Sequence, residues 1–308
     1  MVEQLDVPII DFSVYSETGV VGSEGERQLL AKELCQALGT VGFCYLKNHG
    51  FSTAKEQSFF KESSEFFQLP KEVKRKYARQ STTNHGWVHI EGETLNPDRP
   101  GDLKEVFNIC HHSVTKDLPE EPPNFKTSCE QFFDECMKLT GSVLDALSIG
   151  LKLKVKFLKK CHSSMGKKNS FTTLRTLFYP CQAPAFKAGQ ICCGEHSDYG
   201  TITLLFQDDV GGLQALRKDG VYVDVKPVPG TIVLNIGDAL QRWSADQLVA
   251  TKHRVVPESQ IQKQTSRQSI VFFVHPDDDV MMECLDGSRK YEPITSGEYT
   301  RQRFNATY

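Results

Sequence analysis

Two histidines and one aspartate in the second half of the chain have the residue types of a metal site. His196 and Asp198 are separated by one residue, and His253 follows 55 positions after Asp198. Residues i and i+2 of a strand point to the same side, so His196 and Asp198 can approach one metal ion together. Two imidazoles and a carboxylate on one side of a metal leave the other side open, as in non-haem Fe(II) sites that react with O2. The same ligands accept Zn, Mn or Co, and such residues also occur as a core histidine and an exposed pair.

The usual zinc motifs are absent. Hydrolases that bind zinc through two histidines usually carry His-Glu-x-x-His on a helix, and this chain has no such sequence. Its ten cysteines are scattered without a Cys-x-x-Cys pair, so a thiolate zinc site is not expected. Without a secretory signal, we expect ten reduced thiols. These observations favour iron.

A cation and a hydroxyl follow the third candidate ligand. Arg267 and Ser269 lie at the start of an apolar strand and share one face of it by alternation. An arginine that faces the interior of a barrel requires an anion, because an unpaired buried charge is costly. Its planar fork fits a carboxylate, so a dicarboxylate co-substrate would satisfy it; the alternative is an edge arginine in a surface pair.

Composition sets the class of protein. The chain has 308 residues, 39% of them hydrophobic and 24% charged, as in an ordinary globular protein. A net charge of -3 gives no electrostatic case for a nucleic-acid or anionic membrane partner. The N-terminus lacks a signal-peptide pattern and no segment is apolar enough to cross a bilayer. We therefore expect a cytoplasmic protein, monomeric, with no nucleic-acid or membrane partner.

Periodicity predicts helices in the first half and strands in the second. An apolar face of Leu29, Leu30, Leu34 and Leu38 marks the first helix. Many short strands separated by Gly and Pro turns are typical of a sandwich or jelly roll. The predicted helices are 24–39, 52–67, 71–77 and 124–153, and the predicted strands are 7–12, 43–47, 104–109, 172–179, 202–207, 213–216, 221–225, 231–236 and 269–275.

Beyond these features, the chain resembles the Fe(II)/2-oxoglutarate-dependent dioxygenases of the isopenicillin N synthase-like superfamily over nearly its whole length. The segments that carry the resemblance are Pro8–Phe12, Gly42–Gly50, Lys104–Phe107, Leu204–Gln214, Pro229–Asp238, His253–Pro257 and Ser296–Tyr299.

The resemblance implies an α+β fold with a double-stranded β-helix (jelly-roll) catalytic core and flanking N-terminal and central helices. It divides the chain into an N-terminal region with support helices (1–165), the jelly-roll core (166–280) and a C-terminal helical extension packed on the core (281–308). The implied activity is hydroxylation or desaturation of a small organic molecule, with release of succinate and CO2. Alternatives are a 2-oxoglutarate-independent Fe(II) oxidase and a catalytically silent binding protein.

The resemblance also assigns residues to the cofactor and co-substrates. The residues that match the iron ligands of the family are His196, Asp198 and His253, and the implied co-substrates are 2-oxoglutarate and O2. The residues that match those binding the distal carboxylate of 2-oxoglutarate are Arg267, Ser269 and Tyr179. Plant members often carry Asn two positions before this tyrosine, whereas this chain has Leu177, and Arg175 is a possible substitute for the lost contact.

The substrate site is predicted from residues close to these positions. The candidate substrate residues are Phe107, Leu213, Phe273 and Arg175, with His275 as a further wall. For the three apolar residues a role in the core is the alternative, and for Arg175 a solvated side chain beside a neutral substrate. Trp87 and His89, in a Gly-containing loop, are candidates for a lid.

Overall fold

The computed structural model describes helices that cover one side of a large sheet. It describes residues 7–15, 22–80, 84–94, 100–110, 118–168, 170–180, 190–256 and 265–307. Within these ranges the helices are α1 (Glu24–Thr40), α2 (Thr53–Gln68), α3 (Lys71–Arg75), α4 (Phe125–Gly150), α5 (Phe157–Lys160), α6 (Asp238–Trp243) and α7 (Ser296–Thr307), with a 3-10 turn at Ser13–Tyr15.

The strands form a large sheet, a small sheet and a hairpin. The eight strands of the large sheet, in spatial order, are β1 (Ile9–Asp11), β2 (Phe43–Lys47), β10 (Thr231–Ile236), β7 (Ile202–Gln207), β12 (Arg267–Val274), β5 (Thr173–Tyr179), β4 (Glu105–Ile109) and β3 (Gly86–Val88). The small sheet has the order β6 (Cys193–His196), β11 (His253–Val255), β8 (Leu213–Leu216) and β9 (Tyr222–Asp224). The hairpin is β13 (Met281–Met282) with β14 (Ile294–Thr295).

The two faces of the large sheet have different neighbours. On β5, Leu174 and Phe178 belong to the main apolar core together with residues of α1, α2 and α4. The alternate residues Arg175, Leu177 and Tyr179 line an interior cavity between the two sheets. This alternation follows from the period of two in a strand. The β2–β10 and β4–β5 pairings place strands from before residue 165 in the same sheet as the later strands.

The predicted fold class is confirmed: the protein is α+β with a double-stranded β-helix core. The strands predicted at 43–47, 202–207, 213–216 and 231–236 have the observed bounds. The prediction that Leu29 belongs to the buried face of the first helix is wrong, because its side chain is 59% exposed while Leu30 and Leu34 are buried. None of the helices in the described ranges is both long and apolar enough to span a membrane.

Candidate metal centre and adjoining cavities

His196, Asp198 and His253 come together at the edge of the small sheet. His196 ends β6, His253 begins β11, and the two residues pair directly opposite each other in antiparallel register. Asp198 follows β6 after one residue. One carboxylate oxygen, Oδ1 of Asp198, lies 3.7 Å from Nε2 of His196 and 3.8 Å from Nε2 of His253. One donor atom from each residue lies within 4.8 Å of the others, so the three residues can hold one metal ion.

Backbone carbonyls orient both imidazoles. Nδ1 of His196 lies 2.8 Å from the carbonyl oxygen of Gly194, and Nδ1 of His253 lies 3.0 Å from that of Thr251. A carbonyl can only accept, so each Nδ1 carries the hydrogen and each Nε2 keeps its lone pair for a metal. Burial, followed by the neighbouring His253, lowers the pKa of His196 to about 3, so this imidazole is neutral near pH 7.

Two buried side chains fix the carboxylate of Asp198. Oδ2 accepts hydrogen bonds from Oγ1 of Thr203 at 2.6 Å and from Nδ2 of Asn235 at 2.7 Å. Burial alone would raise the pKa of Asp198, but the two histidines and these hydrogen bonds lower it below its ordinary value. With Oδ2 occupied, Oδ1 is left on the side of the two Nε2 atoms.

A close approach of two backbone segments supports this carboxylate from behind. The carbonyl oxygen of Asp198 accepts a hydrogen bond from the N–H of Asp238 at 2.7 Å. A Cβ atom at Gly237 would lie 2.3 Å from the carbonyl oxygen of Gly200, so only glycine permits the contact. Glycine at 237 thus lets the end of β10 meet the segment that carries Asp198.

The donor set fits Fe(II). Two imidazoles and one carboxylate, each with its second polar atom already bonded, form one side of a site and leave coordination positions for other ligands. No cysteine belongs to the donor group, and the nine cysteines of the described ranges are free thiols, while Cys181 lies outside those ranges.

An interior cavity adjoins the three donor residues and contains Arg267, Ser269 and Tyr179. Arg267 pairs with Tyr179 across β12 and β5, and its guanidinium carbon lies 4.8 Å from the centre of the Tyr179 ring. The Arg267 side chain donates to the carbonyl of Gly211 at 2.7 Å and to Oγ of Ser269 at 3.2 Å. Arg267 is only 6% exposed and has no ion pair with any described residue. A buried cation with neutral hydrogen-bond partners is expected to bind an anion.

Lys104 is a second cation on this cavity that the sequence analysis missed. It precedes β4, whose first residue pairs with the neighbour of Tyr179, so Lys104 and Tyr179 lie side by side. Its Nζ lies 2.6 Å from Oδ2 of Asp102 and 3.4 Å from Sγ of Cys193. Burial alone would lower the pKa of Lys104, but the facing Cys193, Asp102 and Glu93 raise it. Lys104 is therefore charged, and it faces two carboxylates, Asp102 at 2.6 Å and Glu93 at 3.7 Å.

A second cavity lies on the other side of the metal-binding residues. It shares His196, Asp198, Arg175 and Phe273 with the interior cavity. The remaining walls are mainly aromatic and are Asn84, Phe171, Thr173, Ser197, Tyr199, His275 and Phe304.

Arg175 is held in a buried ion pair between the two cavities. Its two terminal nitrogens bond to the two oxygens of Glu93 at 3.1 and 3.2 Å, and its Nε donates to Oδ1 of Asn108 at 2.7 Å. The guanidinium carbon lies 5.7 Å from the centre of the Phe273 ring. Burial alone would raise the pKa of Glu93, but Arg175, Lys104 and Arg79 lower it. The alternative of a solvated Arg175 is therefore wrong.

The other candidate substrate residues divide between cavity and core. Leu213 and Phe273 line the interior cavity, and His275 lines the second cavity. Phe107 lines neither cavity: it is fully buried on the helix-covered face, with its ring 5.1 Å from that of Phe66. Trp87 is not a lid residue, because it is buried in β3 and donates to Glu105 at 2.8 Å.

Known proteins resemble this chain over both halves. The family described as non-haem dioxygenase in morphine synthesis N-terminal matches residues 7–129, and the 2OG-Fe(II) oxygenase superfamily matches residues 170–276. The 2-oxoglutarate-dependent dioxygenase htyE of Aspergillus rugulosus is 30% identical, with 98% of this chain and 99% of htyE covered. The proline hydroxylase buaE of Petromyces alliaceus is 32% identical, with 92% and 95% covered.

A solved structure agrees with these relatives. A Neurospora crassa protein, crystallised at full length in complex with alpha-KG (2-oxoglutarate) and thymine, is 33% identical and superposes with a TM-score of 0.86, covering 98% of this chain and 97% of the Neurospora chain. The sequence, the fold and the donor residues all agree with one family. The chain belongs to the 2OG-Fe(II) oxygenase superfamily, as a dioxygenase that uses Fe(II), 2-oxoglutarate and O2.

Proposed function

We propose that His196, Asp198 and His253 hold the iron of a dioxygenase that hydroxylates or desaturates a small organic molecule. When bound, Fe(II) would supply the redox chemistry by which one O2 both converts 2-oxoglutarate to succinate and CO2 and oxidises the substrate. The fixed Nδ1 atoms and the occupied Oδ2 of Asp198 hold the three donors in position before the metal arrives.

The interior cavity is the proposed site for 2-oxoglutarate. The observation that carries this assignment is Arg267, which is buried with neutral hydrogen-bond partners on a cavity that also reaches the metal-binding residues. Its planar guanidinium, with Oγ of Ser269 and the phenol of Tyr179, suits the distal carboxylate. Burial raises the pKa of Tyr179 to about 12, so the phenol keeps its proton and can donate to that carboxylate.

The second cavity is the proposed substrate site, and it suits a neutral molecule. Both terminal nitrogens of Arg175 are already bonded to Glu93, so this guanidinium is not free to pair with a carboxylate of the substrate. The rings of Phe171, Tyr199 and Phe273 offer faces and edges for a planar, partly apolar compound. The complexes of the Neurospora crassa protein with thymine and with 5-formyluracil, both compact neutral rings, support this substrate class.

The test adds Fe(II) and then 2-oxoglutarate under anaerobic conditions and records the visible spectrum. We expect a weak charge-transfer band, lost in His196→Ala, Asp198→Ala and His253→Ala together with turnover. Asp219→Ala, which changes an exposed ion pair with Arg217, is the control and should keep both. Full activity of a ligand variant with stoichiometric iron would remove that residue from the site.

The substrate class is tested by a metabolite screen that measures succinate release. We expect hits among neutral ring compounds. Turnover of a nucleic acid or a folded protein, with no small-molecule hit, would contradict the proposal.

Other expectations from the sequence stay predictions. They are the cytoplasmic location, the monomeric state, the absence of nucleic-acid and membrane partners, the isopenicillin N synthase-like assignment and the division at residues 165 and 280.

A further inference from the structure

His275 is a buried imidazole on the wall of the second cavity. It directly follows β12, and only 5% of its surface is exposed. Its backbone N–H donates to Oγ1 of Thr172 at 3.1 Å, which fixes the main chain at this point. Among the described residues, Nδ1 of His275 has no hydrogen-bond partner although the atom is buried. The ring thus has a fixed position and an unsatisfied polar atom.

A second buried histidine nearby shows what a purely structural imidazole does in this fold. His162 uses both ring nitrogens: Nδ1 lies 2.6 Å from the carbonyl oxygen of Leu158, and Nε2 lies 2.8 Å from Oγ1 of Thr201. Burial lowers the pKa of His162 and of His275 to about 4, so both rings are neutral near pH 7. The two histidines differ in hydrogen bonding, not in charge.

Among the described neighbours of His275, none provides a hydrogen-bond partner for Nδ1. Its ring centre lies 6.1 Å from that of Phe171, and a Cβ atom at Gly200 would lie 3.2 Å from its Cδ2. An apolar ring would fill this space without an unsatisfied nitrogen. Unsatisfied buried polar groups are uncommon because they cost free energy, so an imidazole kept on the wall of a cavity calls for a polar partner, and a ligand of that cavity can supply one.

We infer that the imidazole of His275 forms a hydrogen bond with a polar group of the substrate and selects compounds that carry a hydroxyl, carbonyl or ring N–H there. This inference rests on the proposed binding of the substrate in the second cavity. His275 is then a specificity-determining residue: it distinguishes a polar ring compound from an apolar one of the same size.

Three single-ring probes of similar shape test the inference. Phenol can donate and accept a hydrogen bond, anisole can only accept one, and toluene can do neither. Each probe is titrated anaerobically into the protein with Fe(II) and 2-oxoglutarate bound, and the change in the charge-transfer band gives the dissociation constant. We expect phenol to bind about five- to tenfold more tightly than toluene, the effect of one neutral hydrogen bond. Anisole shows whether the imidazole donates.

Two variants and a control test whether the preference for phenol over toluene depends on His275. His275→Phe and His275→Leu should reduce the preference for phenol to within about twofold. Thr140→Val is the control, because Thr140 of α4 is fully buried and lines neither cavity. This variant should keep the preference.

The outcomes separate two kinds of failure. If the wild-type protein shows the band but binds phenol no more tightly than toluene, or binds none of the probes, the inference is wrong. It is also wrong if either His275 variant keeps the preference. If the band itself is absent, the proposed binding of 2-oxoglutarate at the metal fails, and the inference fails with it.

Discussion

The hydroxyl of Thr203 is expected to contribute measurably to iron affinity although it is not a candidate ligand. It donates to Oδ2 of Asp198 at 2.6 Å, and both residues are buried, with 3% of Thr203 and 5% of Asp198 exposed. Thr203→Val keeps the shape of the side chain and removes this one donor. A hydrogen bond to a charged group contributes about 1.5–3 kcal/mol. Without it the carboxylate is held by Asn235 alone.

The expected effect on metal binding follows from that loss. Residues that orient metal ligands typically change metal affinity by about 10- to 100-fold when they are mutated. At about 1.4 kcal/mol for each factor of ten, this range agrees with the loss of one charge-assisted hydrogen bond. We therefore expect the dissociation constant for Fe(II), measured anaerobically by competition with a chelator, to rise by about 10- to 100-fold in Thr203→Val.

The control is a second buried threonine. Thr140 of α4 is fully buried, and its Oγ1 has no hydrogen-bond partner among the described residues. Thr140→Val should leave Fe(II) affinity unchanged. A double variant with Asn235→Leu should lose more affinity than the two single losses combined, because both donors hold the same oxygen. If Thr203→Val binds Fe(II) within about twofold of wild type, the orienting role is refuted.

Three further predictions concern co-substrate affinity, a buried ion pair and pH. Arg267→Lys should weaken 2-oxoglutarate binding about tenfold or more in a titration of the charge-transfer band, because lysine lacks the planar fork; Arg217→Lys, in an exposed pair, should not. Glu93→Gln should lower the free energy of unfolding, measured in urea, by about 3 kcal/mol, because the buried guanidinium of Arg175 loses its carboxylate. Glu65→Gln changes an exposed pair with Lys61, and an equal effect of this variant would contradict the prediction. Burial lowers the pKa of His162 to about 4, so the unfolded chain binds a proton at this residue more readily than the folded protein between pH 6.5 and 4. About 3 kcal/mol of the free energy of unfolding is therefore present above pH 6.5 and is lost as the pH falls towards 4. His162→Asn should flatten this part of the curve of unfolding free energy against pH, and an unchanged slope would contradict the prediction.

The candidate metal centre was predictable because its local part is short. The spacing of His196 and Asp198 places two donors at one strand end, and this can be read from the sequence. The choice of His253 depended on resemblance, because the pairing of β6 with β11 joins segments that are far apart in the chain. Residue types and spacing therefore predict the kind of metal site and two of its donors. The strand register of the small sheet determines which residue is the third donor.

The error at Phe107 has a physical cause in the strand that carries it. β4 is buried on both faces, so Val106 and Phe107 are both apolar, and alternation of polarity cannot show which one faces the cavity. Lys104 and Asn108 are the polar members of the row that faces the interior, and they place Phe107 on the opposite face. The signal was present in the flanking residues.

Residues from irregular segments were not predictable in the same way. Glu93 and Asn84 lie outside regular strands, in a part of the chain without periodicity that could assign a face. Trp87 was predicted as a lid residue in a Gly-containing loop, but strand pairing with β4 buries it. In such segments the tertiary contact decides the role of a side chain.

The same contrast separates co-substrate binding from substrate choice. Strands of the two sheets supply the proposed iron and 2-oxoglutarate contacts, which are Arg267, Ser269, Tyr179 and the two histidines. Loops and the C-terminal helix supply much of the second cavity, including Asn84, Ser197, Tyr199 and Phe304. Loop and terminal positions tolerate change more readily than paired strands. The fold alone therefore does not choose the substrate, and in the proposed substrate site that choice rests mainly on the irregular segments of the chain.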